Sequence, residues 1–320
     1  ARVGRLQVVD IGIPPSLAED VPQELITSDW VRDALPRRPL DSHKGTFGRV
    51  LVVAGSARYI GAAYLACQGA ARVGAGLVTL AIPRSLQPML ASKLTEATYL
   101  PLPEEEGALS PAASDVILSE VGEYQALLVG CGLGQGPDVA QLLRHTLLTT
   151  RYPGVPMVLD ADALNVMSGI PEWWLRLRGE AVLTPHPGEM SRLTGKTAEE
   201  INATRLDTTR EWAARWGKSV VLKGAYTVIS SPQGQARISP FANPGLASGG
   251  TGDVLAGAIA GLMAQGLSTF DAASCGVYLH GAAGEQVRRE MGDTGMVASD
   301  LLPRLPLVIK QVREGTLLLD

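Results

Sequence analysis

The sequence predicts an α/β fold in which a central, mostly parallel sheet carries helices on both faces. Short apolar runs of strand length alternate with segments of helical period along the chain. Most of these runs are apolar on both sides of the strand, which is typical of strands covered on both faces. Polar motifs follow the runs, and ligand sites collect at the carboxyl ends of parallel strands. We therefore expect one large α/β domain in this chain of 320 residues.

The predicted parallel strands follow one another from residue 50 to residue 223. They are residues 50–54, 77–82, 126–130, 156–160, 181–184 and 219–223. A turn with Pro and Gly separates residues 226–230 from 236–238, which predicts an antiparallel hairpin added to the sheet. From Asp253 onward the pattern is helical, and Gly257 and Gly261 predict close packing of that helix against the sheet.

Residues 1–40 have the composition of a linker or lead-in. They contain five prolines and one short apolar run, residues 6–9, as a strand candidate. The chain begins at Ala1 without Met, so we expect a processed product or the latter part of a longer polypeptide. We therefore place the main domain at residues 41–320.

Composition excludes several classes of function. Lys and Arg number 28 against 32 Asp and Glu, a formal net charge of −4, which does not favour binding of nucleic acid. Cys67, Cys131 and Cys275 are widely separated without a CxxC pair, which argues against a disulfide framework or a zinc site. The most apolar stretch, residues 254–267, is short and contains Gln265, and no signal-peptide pattern is present. We expect a reduced, cytoplasmic protein that does not cross a membrane.

The strongest chemical signal is a glycine-rich turn that ends in a carboxylate. Its residues are Gly249, Gly250, Thr251, Gly252 and Asp253. Glycines permit a tight turn with inward-facing N–H groups, and the helix N-terminus that follows favours phosphate. A carboxylate is unexpected at an anion site, so Asp253 is predicted to be a base that acts on a hydroxyl beside the phosphate. The alternative is that Asp253 only caps the helix.

Two other motifs follow strands, and each has a structural alternative. The loop at residues 184–189 carries the His186 imidazole and the Glu189 carboxylate, which could bind substrate and hold magnesium through water. A lone histidine is more often structural. Lys223 and Gly224 end a strand and could form a wall for a nucleotide, but such a lysine is also common at a solvated strand end.

Further polar residues follow the strand at 156–160. Asp160, Asp162 and Asn165 could orient polar groups of a ligand or cap the next helix, and Asp162 is the one expected to be the cap. The glycines at 130–136 do not form a dinucleotide fingerprint, because Gln135 falls in the GxGxxG spacing where glycine is needed. The two candidate P-loops each lack their first glycine.

Five motifs, in order from about His43 to the C-terminus, together resemble the NAD(P)H-hydrate dehydratase family of the ribokinase-like superfamily. They are residues 44–50, 54–56 with Gly61 and Ala62, 160–165, 184–189 and 250–255. The resemblance implies a ribokinase-like, three-layer α/β/α fold. Residues 1–15 resemble the end of the NAD(P)H-hydrate epimerase domain that precedes the dehydratase in bifunctional members, and no epimerase activity is assigned to the residues present.

The family resemblance implies a metabolite-repair lyase. It would use ADP or ATP with Mg²⁺ to dehydrate the S form of NADH hydrate or NADPH hydrate. The hydroxyl would be phosphorylated, and loss of phosphate would restore the dihydronicotinamide. Asp253 matches the superfamily's base, and the amides from Gly249 to Gly252 would stabilise the charge of transfer. The resemblance also implies a homo-oligomer, with a tetramer as one candidate.

The resemblance assigns further residues by motif position. The residues expected to contact the hydrated cofactor are Ala62, Gly134, His186 and Asp253. Those expected to line the adenosine nucleotide are Lys223, Gly224, Ala225, Tyr226, Thr227 and Gly252. Glu189 matches the glutamate of the superfamily's NxxE motif and is the candidate for magnesium through water, and Asp160 and Asn165 would support the site.

Two other functions fit the same motifs. A ribokinase-like kinase would phosphorylate an alcohol of a vitamin precursor with the same glycine and aspartate chemistry, and would release a stable phosphorylated product. A nucleotide-sensing module would bind the nucleotide and turn over no hydroxylated substrate.

Overall fold

The computed structural model describes residues 21–317 and, before them, Val9, Ile11, Gly12, Pro14 and Leu17. Apart from Val9, the strand candidate at residues 6–9 lies outside the described residues, as does most of the epimerase-like segment. Within residues 21–317 the helices are all too short or too polar to span a bilayer.

A ten-stranded sheet forms the centre of the described chain. The strands are β1 (Gln23–Leu25), β2 (Arg49–Val53), β3 (Leu77–Pro83), β4 (Thr98–Leu102), β5 (Glu104–Glu105), β6 (Ala108–Leu109), β7 (Ala126–Val129), β8 (Met157–Leu159), β9 (Ala181–Leu183), β10 (Ser219–Leu222), β11 (Val228–Ser230) and β12 (Ala236–Ile238). Their order is β1-β12-β11-β10-β9-β8-β7-β2-β3-β4, while β5 and β6 form a separate hairpin. Within the large sheet only the pairs of β11, with β10 and with β12, are antiparallel.

Helices cover both faces of this sheet. They are α1 (Ser28–Ala34), α2 (Ile60–Arg72), α3 (Gln87–Ala91), α4 (Ala113–Glu120), α5 (Pro137–Leu147), α6 (Asp162–Ser168), α7 (Trp173–Arg176), α8 (Pro187–Thr194), α9 (Ala198–Ala203), α10 (Arg205–Trp216), α11 (Thr251–Ala264), α12 (Thr269–Met291), α13 (Ala298–Leu301) and α14 (Arg304–Glu314). Val50 and Val52 of β2 pack in one core with α2, α11 and α12, whereas Leu51 and Val53 pack in a second core with α5, α6 and α10. This alternation confirms the predicted three-layer α/β/α fold.

The structure confirms the predicted strands of the parallel core and the hairpin, with ends shifted by one or two residues. β1 and β4, which lie at the two edges of the sheet, were not predicted from the sequence. Pro22 precedes β1 and Pro101 lies within β4. Proline lowers the strand signal of a segment, yet it is tolerated on an edge strand, because one side of such a strand pairs with no neighbour.

Residues 23–35 belong to the folded domain, which differs from the linker predicted for residues 1–40. β1 pairs in parallel with β12, and Ile26 and Val31 are buried in the core. The strand is only three residues long and largely polar, so its sequence carries little strand pattern.

The helices α2 and α11 pack almost backbone to backbone. A Cβ atom on Gly257 would collide with the carbonyl oxygen of Ala66, and one on Gly261 would lie 2.7 Å from the carbonyl oxygen of Ala70. The glycines of α11 therefore face α2, while the helix also packs against β2, β7 and β8 of the sheet, as predicted. Glycine spacing indicates a close approach but does not identify the element that approaches.

We expect Gly257→Ala to lower the free energy of unfolding by about 1–3 kcal/mol, because the added methyl group forces two backbones apart. Gly61→Ala in α2 is the matched control, since a Cβ atom there meets nothing within 4 Å. Thermal and urea unfolding should show a loss for the first variant and none for the second. Equal stability of the two variants would contradict this packing.

Candidate functional site

Loops after five adjacent parallel strands meet at one edge of the sheet. These are the loops after β2, β7, β8, β9 and β10, which are neighbours in the sheet. The N–H of Gly55 donates to the carbonyl oxygen of Cys131, and Thr184 Oγ1 donates to Asp160 Oδ1 at 2.6 Å. The structure thus brings together the motifs that the sequence places after these strands.

A buried ion-pair network joins three of the loops. Lys223 Nζ donates to Asp160 Oδ1 at 2.7 Å and lies 3.7 Å from Glu189 Oε2. Both carboxylates are at least 94% buried as side chains. Burial alone would lower the pKa of Lys223, but the carboxylates of Asp160 and Glu189 raise it above its usual value. The ammonium group therefore stays charged.

Asp253 lies at the start of α11, beside this network. The N-cap residue of α11 is Gly250, with a φ of +91°, and Asp253 is the third residue of the helix. The proposal that Asp253 is only the N-cap is therefore wrong. Carboxylate oxygens of Asp253 and Asp160 and the Sγ atom of Cys131 lie within 4.8 Å of one another.

The environment of Asp253 suits a base at neutral pH. Burial raises the pKa of Asp253 to about 7, and the Asp160 carboxylate contributes to the rise, against the opposing effects of Cys131 and Lys223. A carboxyl group with such a pKa can accept a proton near neutrality and also hold it.

The glycine-rich turn is fixed by internal hydrogen bonds and open on one side. Thr251 Oγ1 donates to the carbonyl oxygens of Leu246 and Ser248. A Cβ atom on Gly249 would meet nothing within 4 Å, and one on Gly252 would lie 3.5 Å from Lys223 Nζ. The helix N-terminus therefore opens toward an ammonium group, an arrangement that can bind a phosphoryl group.

His186 and Glu189 form a capping box at the start of α8. His186 Nδ1 accepts from the N–H groups of Gly188 and Glu189, and Glu189 Oε2 accepts from the N–H of His186 at 2.8 Å. Partial burial lowers the pKa of His186, which leaves a neutral ring with Nε2–H as a donor. Glu189 already has the His186 N–H and the Lys223 ammonium as neighbours, so direct metal coordination fits it poorly. Its role with magnesium stays a prediction.

Asp162 was expected to cap α6, and this is wrong. The N-cap position belongs to Ala161, and Asp162 is the first residue of the helix. Its carboxylate reaches across to the loop after β7 and accepts from the N–H of Gly134 at 2.8 Å and from Gln135 Nε2 at 2.9 Å. Asn165 Oδ1 accepts from Arg192 Nε and links α6 to α8 outside the ion-pair network.

A cavity of about 350 Å³ lies beside Gly134. It is lined by Ser56 and Tyr59 after β2, by Gly134 after β7 and by Asp162 of α6. Ala62 packs next to this loop, since a Cβ atom on Gly132 would lie 2.8 Å from that of Ala62. Ala62 and Gly134, both predicted to contact substrate, therefore lie in one region.

A second cavity, of about 400 Å³, lies between the loop after β10 and α12. Of the predicted nucleotide residues, those that line it are Lys223, Gly224, Ala225, Thr227 and Gly252. Tyr226 is not among the lining residues, and its N–H donates to the carbonyl oxygen of Phe241. Sequence reasoning missed Phe241, Val277 and His280 on the cavity wall. Val277 and His280 lie in a buried helix that indicates a core, and Phe241 lies in a loop outside the motifs.

Known proteins resemble this chain over nearly its whole length. A family model described as NAD(P)H-hydrate dehydratase matches residues 50–307. A Moorella thermoacetica protein named bifunctional NAD(P)H-hydrate repair enzyme Nnr is 46% identical over 314 residues, which cover 97% of this chain and 59% of that protein. The chain thus spans less than two thirds of this relative.

Two matches from Bacillus subtilis, a named protein and a crystal structure, are more complete. One, named ADP-dependent (S)-NAD(P)H-hydrate dehydratase, is 38% identical over 282 residues, which cover 87% of this chain and 96% of that protein. The other is the crystal structure of an ADP/ATP-dependent NAD(P)H-hydrate dehydratase co-crystallised with ATP and Mg²⁺. It superimposes with a TM-score of 0.77 at 35% identity and covers 92% of this chain and 100% of that chain.

Proposed function

The chain belongs to the NAD(P)H-hydrate dehydratase family, and from this premise we propose that it dehydrates the S form of NADH hydrate and NADPH hydrate with ADP or ATP. It is a lyase that restores the dihydronicotinamide. The observation that supports this most directly is the Asp253 carboxylate at the N-terminus of α11, beside the largely buried Lys223 ammonium. The proposed base Asp253, the amide donors of the helix N-terminus and the Lys223 cation therefore lie close together.

The two cavities suit the two substrates. The cavity of about 400 Å³ is largely apolar, has Lys223 and Gly252 at one end, and has the volume of a small-molecule site. We assign it to the adenosine nucleotide, with the terminal phosphate toward the glycine-rich turn. We assign the cavity beside Gly134 to the hydrated cofactor. Asp253 lines neither cavity, but its neighbour Gly252 lines the nucleotide cavity.

The residues of the chain would act in sequence on a hydroxyl. Asp253 takes the proton of the substrate hydroxyl as that oxygen bonds to the terminal phosphorus of the nucleotide, and the bond to the nucleotide's leaving oxygen breaks. The amides of Gly249, Gly250, Thr251 and Gly252 donate to the phosphoryl oxygens. Loss of phosphate, with the adjacent ring proton, then forms the double bond of the dihydronicotinamide.

Magnesium would bind together with the nucleotide. Mg²⁺ in nucleotide sites commonly keeps several waters and few protein ligands, and it would neutralise phosphate charge. Asp160 and Glu189 already face the Lys223 ammonium, so only water-mediated contact is assigned to Glu189. The homo-oligomer, the cytoplasmic location and a preceding epimerase domain also stay proposals, and light scattering of the purified protein tests the first.

Turnover of the hydrated cofactor tests the proposed function. Purified protein is incubated with (S)-NADH hydrate, Mg²⁺ and either ADP or ATP, and the absorbance of the dihydronicotinamide is followed. We expect recovery with at least one nucleotide and none without nucleotide. Binding of nucleotide without recovery would favour a sensor instead.

The pH dependence of kcat/KM should follow the ionisation of the Asp253 carboxyl group. Only the ionised carboxylate can accept the hydroxyl proton, and its pKa is about 7. We expect kcat/KM to fall about tenfold for each pH unit below that value and to level off above it. Initial rates between pH 5 and pH 9, about two units either side of that pKa, measure this. A flat profile through pH 7 would contradict the role of Asp253.

A further inference from the structure

One imidazole in the 400 Å³ cavity carries a hydrogen-bonding atom that no described residue uses. His280 of α12 is 8% exposed and lines the cavity. Its Nε2 atom lies 2.9 Å from the carbonyl oxygen of Thr251. Within residues 21–317, no partner is bonded to Nδ1.

The hydrogen bond to Thr251 fixes the tautomer of this ring. A carbonyl oxygen only accepts, so Nε2 carries the proton. Burial lowers the pKa of His280 to about 4, with a further lowering by the Lys223 charge against the opposing hydrogen bond to Thr251. The ring is therefore neutral at pH 7, and Nδ1 presents a lone pair.

Most other polar side-chain atoms on the cavity wall already have partners among the described residues, the exception being the buried donor Asn243 Nδ2. Asn243 Oδ1 accepts from the N–H of Gly245, and Thr227 Oγ1 donates to the carbonyl oxygen of Gly224. Ser239 Oγ accepts from the N–H of Phe241. His280 Nδ1, by contrast, is an acceptor that is fixed in position and has no donor among the described residues.

We propose that His280 Nδ1 accepts a hydrogen bond from the nucleotide and makes His280 a specificity-determining residue. The donor is an exocyclic amino group of the base or a hydroxyl of the sugar. This inference rests on the proposed assignment of the cavity to a nucleotide. A ligand that lacks the donor would bury the acceptor unpaired, and such sites reject the lacking analogue by roughly tenfold to a hundredfold.

The same ring also connects the nucleotide with the catalytic helix. Nε2 bonds to the carbonyl oxygen of Thr251, the first residue of α11, and Asp253 is two residues further on. A nucleotide bonded to Nδ1 would therefore contact a ring that is hydrogen-bonded to the helix with the proposed base.

Binding of four nucleotides tests this inference without requiring turnover. Calorimetry compares ADP with inosine diphosphate, which lacks the amino group, and with 2′-deoxy-ADP and 3′-deoxy-ADP, which each lack one hydroxyl. We expect one of these three analogues to bind roughly tenfold to a hundredfold more weakly than ADP. In His280→Phe, and in the more conservative His280→Leu, ADP and that analogue should bind within about threefold of each other, because the acceptor is gone.

Val277→Ala is the matched control, since Val277 lines the same cavity one turn earlier on α12. It should weaken all four nucleotides by a similar factor and keep the discrimination. Equal binding of all four by the wild type, or discrimination that persists without His280, would overturn the inference. Normal discrimination without dehydration of the hydrate would refute only the proposed function, and absence of nucleotide binding would refute both.

Discussion

Replacement of Asp253 by asparagine should lower kcat by about 10²- to 10⁴-fold, because the amide cannot take the proton of the attacking hydroxyl. The side chain keeps its size, so the KM values for nucleotide and hydrated cofactor should change much less. Steady-state rates of dihydronicotinamide recovery measure both constants.

The same variant should be more stable than the wild type at pH 8. The pKa of Asp253 is about 7 in the folded protein against a usual value of 3.8, so folding favours the protonated form. Stability is therefore lost as the pH rises from about 4 to 7, and a neutral asparagine avoids that loss. Thermal unfolding should show a higher Tm for Asp253→Asn at pH 8, and the difference should vanish near pH 4.

Asp271→Asn is the matched control, because Asp271 occupies the third position of α12 as Asp253 does in α11. Its carboxylate pairs with Arg237, away from both assigned cavities. This control should retain kcat. If Asp253→Asn also retained kcat, Asp253 would not be the base.

Lys223→Met should lower both the stability of the fold and the affinity for nucleotide. Removal of the ammonium leaves the buried carboxylates of Asp160 and Glu189 without their cation, which typically costs about 3–5 kcal/mol of stability. Nucleotide binding should weaken as well, since Lys223 lines the assigned cavity. Urea unfolding and calorimetry measure these two effects.

A second substitution separates the two effects of Lys223→Met. The double variant Lys223→Met with Asp160→Asn removes one uncompensated charge, so part of the lost stability should return while nucleotide binding stays weak. Lys196→Met is the surface control, because its ion pair with Glu211 is partly exposed and such pairs contribute at most about 1 kcal/mol. Equal stability of Lys223→Met and Lys196→Met would contradict the buried network.

The parallel core and the clustering of motifs could be predicted, because both follow from the order of apolar runs and polar motifs along the chain. Apolar runs such as β2 indicate buried strands, and parallel strands place the residues after them, including Asp160 and Lys223, at one edge of the sheet. Asp253 was equally visible, because a carboxylate conflicts with the charge expected at a turn that is predicted to bind phosphate. The roles of these residues still rest on the proposed chemistry.

Features that depend on contacts between residues distant in sequence could not be predicted from the sequence pattern. The reach of Asp162 to Gly134 joins two loops that are separate in sequence, so a local capping interpretation was chosen and was wrong. His280 lies among apolar residues of a long buried helix, where a histidine gives no signal of a cavity. The hydrogen bond of Glu189 with the N–H of His186 and its ion pair with Lys223 could be recognised only from the side-chain geometry.

The stoichiometry of products tests the central claim most directly. Wild-type protein is given limiting (S)-NADH hydrate with excess nucleotide and Mg²⁺, and free phosphate and dihydronicotinamide are both counted. We expect one phosphate released for each dihydronicotinamide restored, with no phosphorylated cofactor left over. A stable phosphorylated product with no recovered dihydronicotinamide would contradict it and identify the protein as a kinase.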